Sequence, residues 1–550
     1  MVEKQAIYHN TGNVKRFCIT FLMLITFLLS CEIEPKINYI TEKIEIPSPG
    51  AGNLVLAVTN MSAYYANLEF YASFSPLEAR ASAPSSFIVP PARNSVSLTS
   101  LPNRLIRMDS ESASKFNANP PPYSPDRSRQ AARSGDVYTI GSSKNSFYVE
   151  STTSGKFTKS DAIVRAIGNY CVIWVDKDNY NSGAIHKNNQ ITSTQATALA
   201  AKFDEIYPLA RQLLGNEYGK SPGDPHGGID GDEKIHILIY DIDFDFTPGQ
   251  QGGTFGYFWG KDEYPTILQK YSNKMEMFYI DAHFYDMYPS AIYSTLIHEF
   301  QHMINFNEKY FQKGLRPETW YNEMLSMLAE DIIAPIIGIE ETDPGHPIKL
   351  RIPLFLDTYD WYGVDEWVNN DDNFINYSVV YAFGAYLIRN YGGPRLVYEM
   401  LHNNRADHAS VTQALKSATG QSSLDFNTAL GRYAEALLYS KTHGGITGKV
   451  TFDKDSNTYT LGGSPRTAKA FDIWNTSNNP DLFYPNKPPP HKGPALYGPI
   501  SKVNISHLPT CTWPGHSVAL FKIEAGASGT LYMELTRPDF AEIKLTVYNY

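Results

Sequence analysis

The hydrophobic pattern of this chain is most regular between Ser290 and Phe306, which reads SAIYSTLIHEFQHMINF. Its apolar residues recur at steps of three and four and form two stripes, Ile292, Leu296, Phe300 and Met303 in one and Tyr293, Ile297 and Ile304 in the other. Pro289 and Ser290 are typical of a helix start. Because the segment is apolar over so much of its circumference, the pattern predicts a buried helix.

The same helix carries His298, Glu299 and His302 in the pattern H-E-x-x-H. Residues four apart lie about 40° apart around a helix, so the two imidazoles project from one face and can share a metal ion. Glu299 lies about 100° around from His298, where its carboxylate can take a proton from a metal-bound water. The pattern therefore indicates a metallopeptidase site.

A second helical stretch, from Arg316 to Gly338, supplies a candidate third ligand. Trp320, Glu323, Met327 and Glu330 fall on one of its faces at steps of three and four. Carboxylates on an apolar face are rarely buried without a partner, and a metal ion is such a partner. No cysteine lies near either helix, which favours a catalytic zinc site over a structural one. Glu323 is the candidate ligand.

Two short patterns in these helices resemble those of the gluzincin metallopeptidases, namely His298-Glu299-x-x-His302 and Asn322-Glu323-x-x-Ser326. Within that clan the chain is most similar to the hyicolysin-like neutral metallopeptidases, from about Ala162 to Ser440. The resemblance implies one catalytic zinc ion, with Glu323 as the third ligand and Glu299 as the general base.

One position departs from the related thermolysin pattern. Thermolysin-like enzymes carry an Asp four residues after the glutamate ligand, where it braces a zinc-bound histidine, and this chain has Met327 there. A histidine ligand needs such a brace. Glu330 and Asp331 are the candidates to provide it.

The resemblance implies an α+β fold, with a gluzincin-type catalytic domain flanked by β-rich domains. In that domain a mixed β-sheet subdomain precedes a helical subdomain. The local pattern agrees, because short β-rich segments such as VYTI and CVIWVD begin near Asp136 and helical stretches follow to about Ser440. A strand is predicted at Met277–Ile280, and gluzincins bind peptides along such an edge strand.

Changes in composition divide the chain into four predicted regions, which are a signal peptide (1–30), an N-terminal region (31–135), the catalytic domain (136–443) and a C-terminal β domain (444–550). The N-terminal region consists of a lipid-anchored tether, a short β segment at Asn53–Phe74 and a Ser- and Pro-rich linker from Ser75 to Gly135. A prosegment covering the active site is the alternative reading of this linker.

The N-terminus predicts export. Lys15 and Arg16 precede an apolar run from Phe17 to Leu29, which is too short for a comfortable membrane span of about 20 residues. Leu28-Leu29-Ser30-Cys31 resembles a bacterial lipobox, so Cys31 is predicted to be lipidated and to anchor the exported chain to a membrane. Ordinary signal cleavage is the alternative. Cys171 and Cys511 then remain, either paired or free.

Composition excludes some partners and leaves others open. The net charge of −10 gives no electrostatic reason to expect nucleic acid. Five aspartates in GGIDGDEKIHILIYDIDFD, Asp230, Asp232, Asp241, Asp243 and Asp245, are candidates for calcium, although their spacing does not fit an EF-hand loop. Turn and solvent-facing roles are the alternative. The oligomeric state stays open.

Two further motifs resemble those of zinc aminopeptidases. Val380-Tyr381-x-x-Gly384-Ala385 resembles a segment whose Tyr stabilises the transition-state oxyanion, and a core aromatic is the alternative for Tyr381. Met275-Glu276 resembles part of an amine-binding motif, but Asn273 and Met277 break that pattern.

Together these features predict a zinc metalloendopeptidase acting on peptides or proteins. Its rivals are an aminopeptidase variant, a zinc hydrolase with a non-peptide substrate, and a catalytically silent surface lipoprotein that works as an adhesin or binding protein. A broken motif would mark the silent protein, and all four key residues are present.

Overall fold

The computed structural model describes residues 37–46, 54–73, 106–107, 110–125, 138–151, 156–181, 190–219, 227–244, 246–247, 252–368, 373–474, 500–501, 507–523 and 530–549. The predicted signal peptide and Cys31 lie outside these residues, so export and the lipid anchor stay predictions. No helix among the described residues is both long and apolar enough to cross a membrane.

The strands are β1 (Tyr39–Ile46), β2 (Leu54–Asn60), β3 (Ala66–Ser73), β4 (Ile106–Arg107), β5 (Ser143–Ser151), β6 (Lys156–Ile167), β7 (Cys171–Asp176), β8 (Ile235–Tyr240), β9 (Gly253–Thr254), β10 (Gly256–Phe258), β11 (Met277–Asp281), β12 (Tyr459–Leu461), β13 (Ser464–Arg466), β14 (Ile500–Ser501), β15 (His507–Trp513), β16 (Ser517–Ile523), β17 (Leu531–Pro538) and β18 (Ile543–Asn549). The α-helices are α1 (Glu111–Ala118), α2 (Ser193–Leu214), α3 (Phe284–Met287), α4 (Pro289–Asn305), α5 (Thr319–Ile333), α6 (Pro347–Thr358), α7 (Asn373–Asn390), α8 (Pro394–His402), α9 (Asp407–Thr419) and α10 (Phe426–Leu438). A π-helical turn, Phe306–Phe311, continues α4.

A mixed six-stranded sheet, in the order β10-β11-β8-β7-β6-β5, forms the first half of the catalytic region. Strands β7, β8 and β11 run parallel and are buried throughout, as expected when both faces of a sheet are covered. The strand predicted at Met277–Ile280 is β11, but it is not an edge. It lies between β8 and β10, so β10 is the edge strand beside the histidine helix.

The second half of this region is a group of helices packed against one another. Helix α7 is buried from Phe374 to Arg389, because its sequence is apolar almost all the way round. It contacts α5 and α6, and α5 in turn contacts α4. A mixed sheet followed by packed helices is the predicted α+β fold.

The two ends of the chain form one β-sandwich. One sheet has the order β1-β17-β3-β15 and the other has the order β14-β16-β2-β18. Apolar residues of both sheets, such as Leu56, Phe70 and Met533, share one core between them. The sequence analysis placed these strands in separate N- and C-terminal regions, whereas strand pairing joins them.

The packing differs from the expected boundaries at two further places. Phe452, Phe471 and Ile473 belong to the same core as the catalytic helices, beyond the boundary predicted at residue 443. Within the predicted linker, residues 111–118 form α1, whose N-cap Ser110 accepts a hydrogen bond from the backbone of Ala113. The domain boundaries themselves stay a prediction. Cys171 is free, and burial raises its pKa to about 12.

Candidate metal centre

Both predicted histidines lie on α4, which crosses close to the edge of the sheet. A Cβ atom at Gly256 of β10 would lie 2.6 Å from the Thr295 side chain of α4. Only glycine therefore allows this helix to approach so closely. His298, Glu299 and His302 are all buried.

Helix α5 brings Glu323 to both imidazoles. His298 Nε2 lies 3.0 Å from Glu323 Oε2, and His302 Nε2 lies 3.4 Å from Glu323 Oε1. The three ligand atoms lie within 4.8 Å of one another. Two imidazole nitrogens and one carboxylate oxygen are the donors of a catalytic zinc site. The residues present therefore fit a zinc ion, with His298, His302 and Glu323 as its ligands.

Glu330 holds the first histidine in the orientation that a metal needs. Its Oε1 lies 2.7 Å from His298 Nδ1, and its Oε2 accepts a hydrogen bond of 2.7 Å from Ser294 Oγ. With its proton on Nδ1, His298 presents the Nε2 lone pair to the metal. Glu330 is one of the two residues that the sequence analysis named as candidates to brace a histidine ligand.

Ser326 holds the second histidine. Its Oγ lies 3.1 Å from His302 Nδ1 and also contacts Gln301 Oε1. If the imidazole donates from Nδ1, the serine hydroxyl donates onward to Gln301, and His302 Nε2 stays free to bind a metal. The sequence analysis used Ser326 only as part of a motif, and its role depends on the packing of α4 against α5.

The electrostatics of this pocket suit a cation. Burial alone would lower the pKa of His298, but hydrogen bonds with Glu323 and Glu330 outweigh burial and raise it to about 10. Burial would raise the pKa of Glu323, yet the charge of His302 and hydrogen bonds with both histidines lower it to about 2. Without a metal, His298 thus holds a proton that a metal ion must displace.

Asp331 and Tyr381 lie away from the histidines. Asp331 forms two hydrogen bonds with the guanidinium of Arg389, of 2.8 and 3.0 Å, and accepts a third of 3.0 Å from the Tyr381 hydroxyl. Asp331 therefore does not brace a histidine in this structure. Gly384, one turn after Tyr381, packs closely against α5, since a Cβ atom there would lie 2.8 Å from Met324. Tyr381 is a buried core residue whose hydroxyl donates a hydrogen bond to Asp331.

His302 and Glu323 line a small cleft. Its other walls come from Phe258 at the end of β10, from Asn322, and from residues 114, 117 and 118 of α1. The glutamate of the proposed aminopeptidase motif, Glu276, is not among these lining residues. It is buried elsewhere, where its Oε1 accepts a hydrogen bond from the backbone of Ile229.

Two of the five aspartates proposed for calcium lie beside a buried histidine. Asp230 Oδ2 and Asp232 Oδ2 lie 3.3 and 3.5 Å from His236 Nε2. Asp245 lies outside the described residues. Calcium binding stays a prediction.

Sequence reasoning missed two features near this centre. One is α1, because a single short helix in a Ser- and Pro-rich stretch leaves little periodic signal. The other is a second group of side chains that could hold a metal ion, Asp365, His408 and His516. These three residues lie far apart along the chain, so no motif could reveal them.

Two comparisons with known proteins concern the part of the chain that holds this centre. A sequence profile of the family described as Peptidase M30 matches residues 152–462, which is more than half of the chain. The neutral metalloprotease ShpI of Staphylococcus hyicus is 31% identical over 250 residues, covering 42% of this chain and 50% of the relative. The chain therefore spans about half the length of the curated relative that it matches.

Glu323→Ala is expected to abolish zinc binding at this centre, because two imidazoles alone leave the site one ligand short. Glu330→Ala should keep the ligands but weaken zinc binding by about 10- to 100-fold, the usual cost of losing a partner of a ligand. Metal analysis after dialysis against graded chelator measures both. Loss of zinc in Glu330→Ala together with retention in Glu323→Ala would show that the ligand assignment is wrong.

Tyr381→Phe is expected to lower the free energy of unfolding by about 1.5–3 kcal/mol, since it removes a hydrogen bond to a charged, buried carboxylate. Its kcat should change little. Tyr433→Phe is the matched control, because the buried Tyr433 hydroxyl has no hydrogen-bond partner among the described residues. Unchanged thermal stability with a loss of about 10² to 10³ in kcat would instead restore the oxyanion role.

Proposed function

Because the chain belongs to the Peptidase M30 family, we propose that it is a zinc-dependent metalloendopeptidase that cleaves peptide or protein substrates. One observation carries this proposal: His298, His302 and Glu323 converge on one point between two buried helices. Glu299 follows His298 on the same helix and is also buried. The similarity to a staphylococcal neutral metalloprotease supports the same reaction class.

The proposed mechanism assigns one task to each side chain. Zinc at this centre would lower the pKa of a coordinated water to about 7 and polarise the scissile carbonyl. Glu299 takes a proton from the attacking water and then gives it to the leaving amine, because a general base that gains a proton can return it as an acid. Glu330 and Ser326 keep the two imidazoles in the tautomer that leaves Nε2 free.

The cleft favours an endopeptidase over an aminopeptidase. An aminopeptidase needs a carboxylate in the cleft to hold the free amine of its substrate, and Glu276, the residue with a matching motif, is buried away from it. Phe258, the last residue of the edge strand β10, lines the same cleft as His302 and Glu323. Backbone pairing along an edge strand accepts an extended peptide of almost any sequence, without requiring its terminus.

A silent binding protein is the rival from another class. Such a protein has no need for an intact general base beside three metal ligands, and this chain keeps all four residues. Degradation of an unfolded protein by the purified chain, with and without a metal chelator, separates the two functions. Degradation that stops with the chelator and returns with Zn²⁺ supports the peptidase, whereas no degradation by a zinc-loaded chain contradicts it.

Glu299→Gln is expected to lower kcat by about 10² to 10⁴ while keeping zinc, because the amide fills the same space but cannot accept the proton. Turnover of a fluorogenic peptide measures the loss, and metal analysis and circular dichroism check the site and the fold. Wild-type turnover by the zinc-loaded variant would exclude Glu299 as the general base.

A further inference from the structure

A second group of side chains that could hold a metal ion lies where the β-sandwich meets the catalytic helices. Asp365 Oδ2 lies 2.7 Å from His408 Nε2 and 2.6 Å from His516 Nδ1. As at the catalytic centre, two imidazole nitrogens and one carboxylate oxygen all lie within 4.8 Å of one another. Asp365 and His516 are largely buried, whereas the side chain of His408 is 37% exposed.

Three separate segments supply these side chains. Asp365 lies in the loop between α6 and α7, His408 in the first turn of α9, and His516 in the turn between β15 and β16. The backbone of Val364 donates a hydrogen bond of 3.0 Å to the carbonyl of His516, so the loop and the turn also meet directly. A cation held here would therefore tie the sandwich to the catalytic helices.

The backbone at His516 adds a second observation. Its φ is +44°, in the left-handed region where a non-glycine residue costs about 1–3 kcal/mol. Strained residues of this kind persist where a ligand or a site depends on them.

We propose that Asp365, His408 and His516 form a second site for a divalent transition-metal cation of the zinc type, distinct from the catalytic centre. Two histidines and one carboxylate suit such a cation, with water in the remaining position. The site faces a groove lined by Arg405, Gln413 and Lys416, through which water and the cation can enter. The competing arrangement is a metal-free one, in which both imidazoles donate hydrogen bonds to Asp365.

Zinc stoichiometry of the purified full chain, measured after saturation with Zn²⁺ and removal of the excess, tests the proposal. The wild type should carry two zinc ions, His408→Ala one, Glu323→Ala one, and the double variant none. His402→Ala is the matched control and should keep two, because its imidazole bonds to the carbonyl of Tyr398 and stacks on that ring instead.

The conservative variant Asp365→Asn is a second test of the site, which still applies if His408→Ala fails to fold. It keeps the shape of the side chain and an oxygen that can accept a hydrogen bond, but it loses the charge that binds a cation. Its second zinc should bind at least about tenfold more weakly. One zinc in the wild type, or two in both His408→Ala and Asp365→Asn, would overturn the second site. If the number of bound zinc ions falls only in Glu323→Ala, the second site is overturned and the assignment of the catalytic ligands stands.

An independent observation concerns α1, which lies over the catalytic cleft. Both polar atoms of the Asn117 side chain form hydrogen bonds at the end of the edge strand, one to the last residue of β10 and one to the backbone two residues later. Its Nδ2 donates to the carbonyl of Phe258 at 2.9 Å, and its Oδ1 accepts from the backbone of Gly260 at 2.8 Å. A carboxamide that donates and accepts in this way imitates the backbone of a bound peptide.

The residues after α1 are anchored on the same side of the cleft. The carbonyl of Pro121 accepts hydrogen bonds from Tyr310 and Tyr264, at 2.6 and 3.0 Å. Arg316 donates to the carbonyl of Pro120 and to Asn119 Oδ1, at 3.2 and 3.1 Å. The segment from Ser110 to Pro125 is thus held at the end of β10, where α1 lines the cleft together with His302 and Glu323.

Resting on the peptidase function proposed above, we infer that residues 110–125 are an autoinhibitory segment that competes with substrate for the edge strand β10. Being part of the same chain, the segment acts at a high effective concentration, so a peptide must displace it before it can pair. The alternative is a permanent structural wall, which shapes the cleft and never leaves it.

Peptide affinity in the Glu299→Gln background separates these two roles without relying on catalysis. Adding Asn117→Ala removes the hydrogen bonds to Phe258 and Gly260 and should tighten the Kd of a fluorescent peptide at least about fivefold. Lys115→Ala is the matched control, because Lys115 lies on the exposed side of α1, where it pairs with Glu111, and it should change nothing.

Weaker or unchanged peptide binding in the Asn117→Ala variant would show that α1 is a wall of the cleft. The same pair of substitutions in the active chain gives a second readout, in which Asn117→Ala should raise kcat/KM mainly through KM. If the peptide binds as predicted but neither chain turns over, the inhibitory segment stands and the proposed peptidase function fails.

Discussion

The contact between buried charges on α4 and α5 is the constraint on which the centre depends. His298 lies between Glu323 and Glu330, at 3.0 and 2.7 Å, and none of the three reaches solvent to any extent. Burying ionised groups is costly unless each has a close partner of opposite charge. The two helices must therefore pack with one register and one separation, and that register aims the ligands at one point.

Helix α5 extends this constraint to the rest of the helical half. Glu323 and Glu330 face α4, whereas Asp331, one residue further round, faces α7 and pairs with Arg389. Removing one partner from a buried ion pair typically costs about 3–5 kcal/mol, because the other charge is then left uncompensated. Three acidic side chains on one helix thus hold three helices together, and only one of them is assigned to the metal.

The β-sandwich adds long-range constraints of another kind. Strands from before residue 74 pair with strands from after residue 506, so the catalytic region lies between two chain ends that must meet. The turn that carries His516 returns the chain to the loop at Asp365. The contacts of that junction link the sandwich to α9, whose His408 packs near Trp320 of the Glu323 helix.

The sequence by itself determined the α+β fold and the family, and it singled out the residues proposed for the chemistry. Helical periodicity is local, so three- and four-residue steps were enough to put His298 and His302 on one face and Glu323 with Glu330 on another. Tertiary structure alone decided what each face meets. Glu330 reached a histidine and Asp331 an arginine, although they are neighbours in the chain, because adjacent helical residues point about 100° apart. Tertiary structure also decided the role of Tyr381, whose hydroxyl meets Asp331 of α5. It likewise decided the position of α1 over the cleft, which depends on a hydrogen bond to Phe258, a residue more than 130 positions away. Contacts between distant segments leave no periodic trace in one sequence, which is why packing, and not pattern, assigned these side chains.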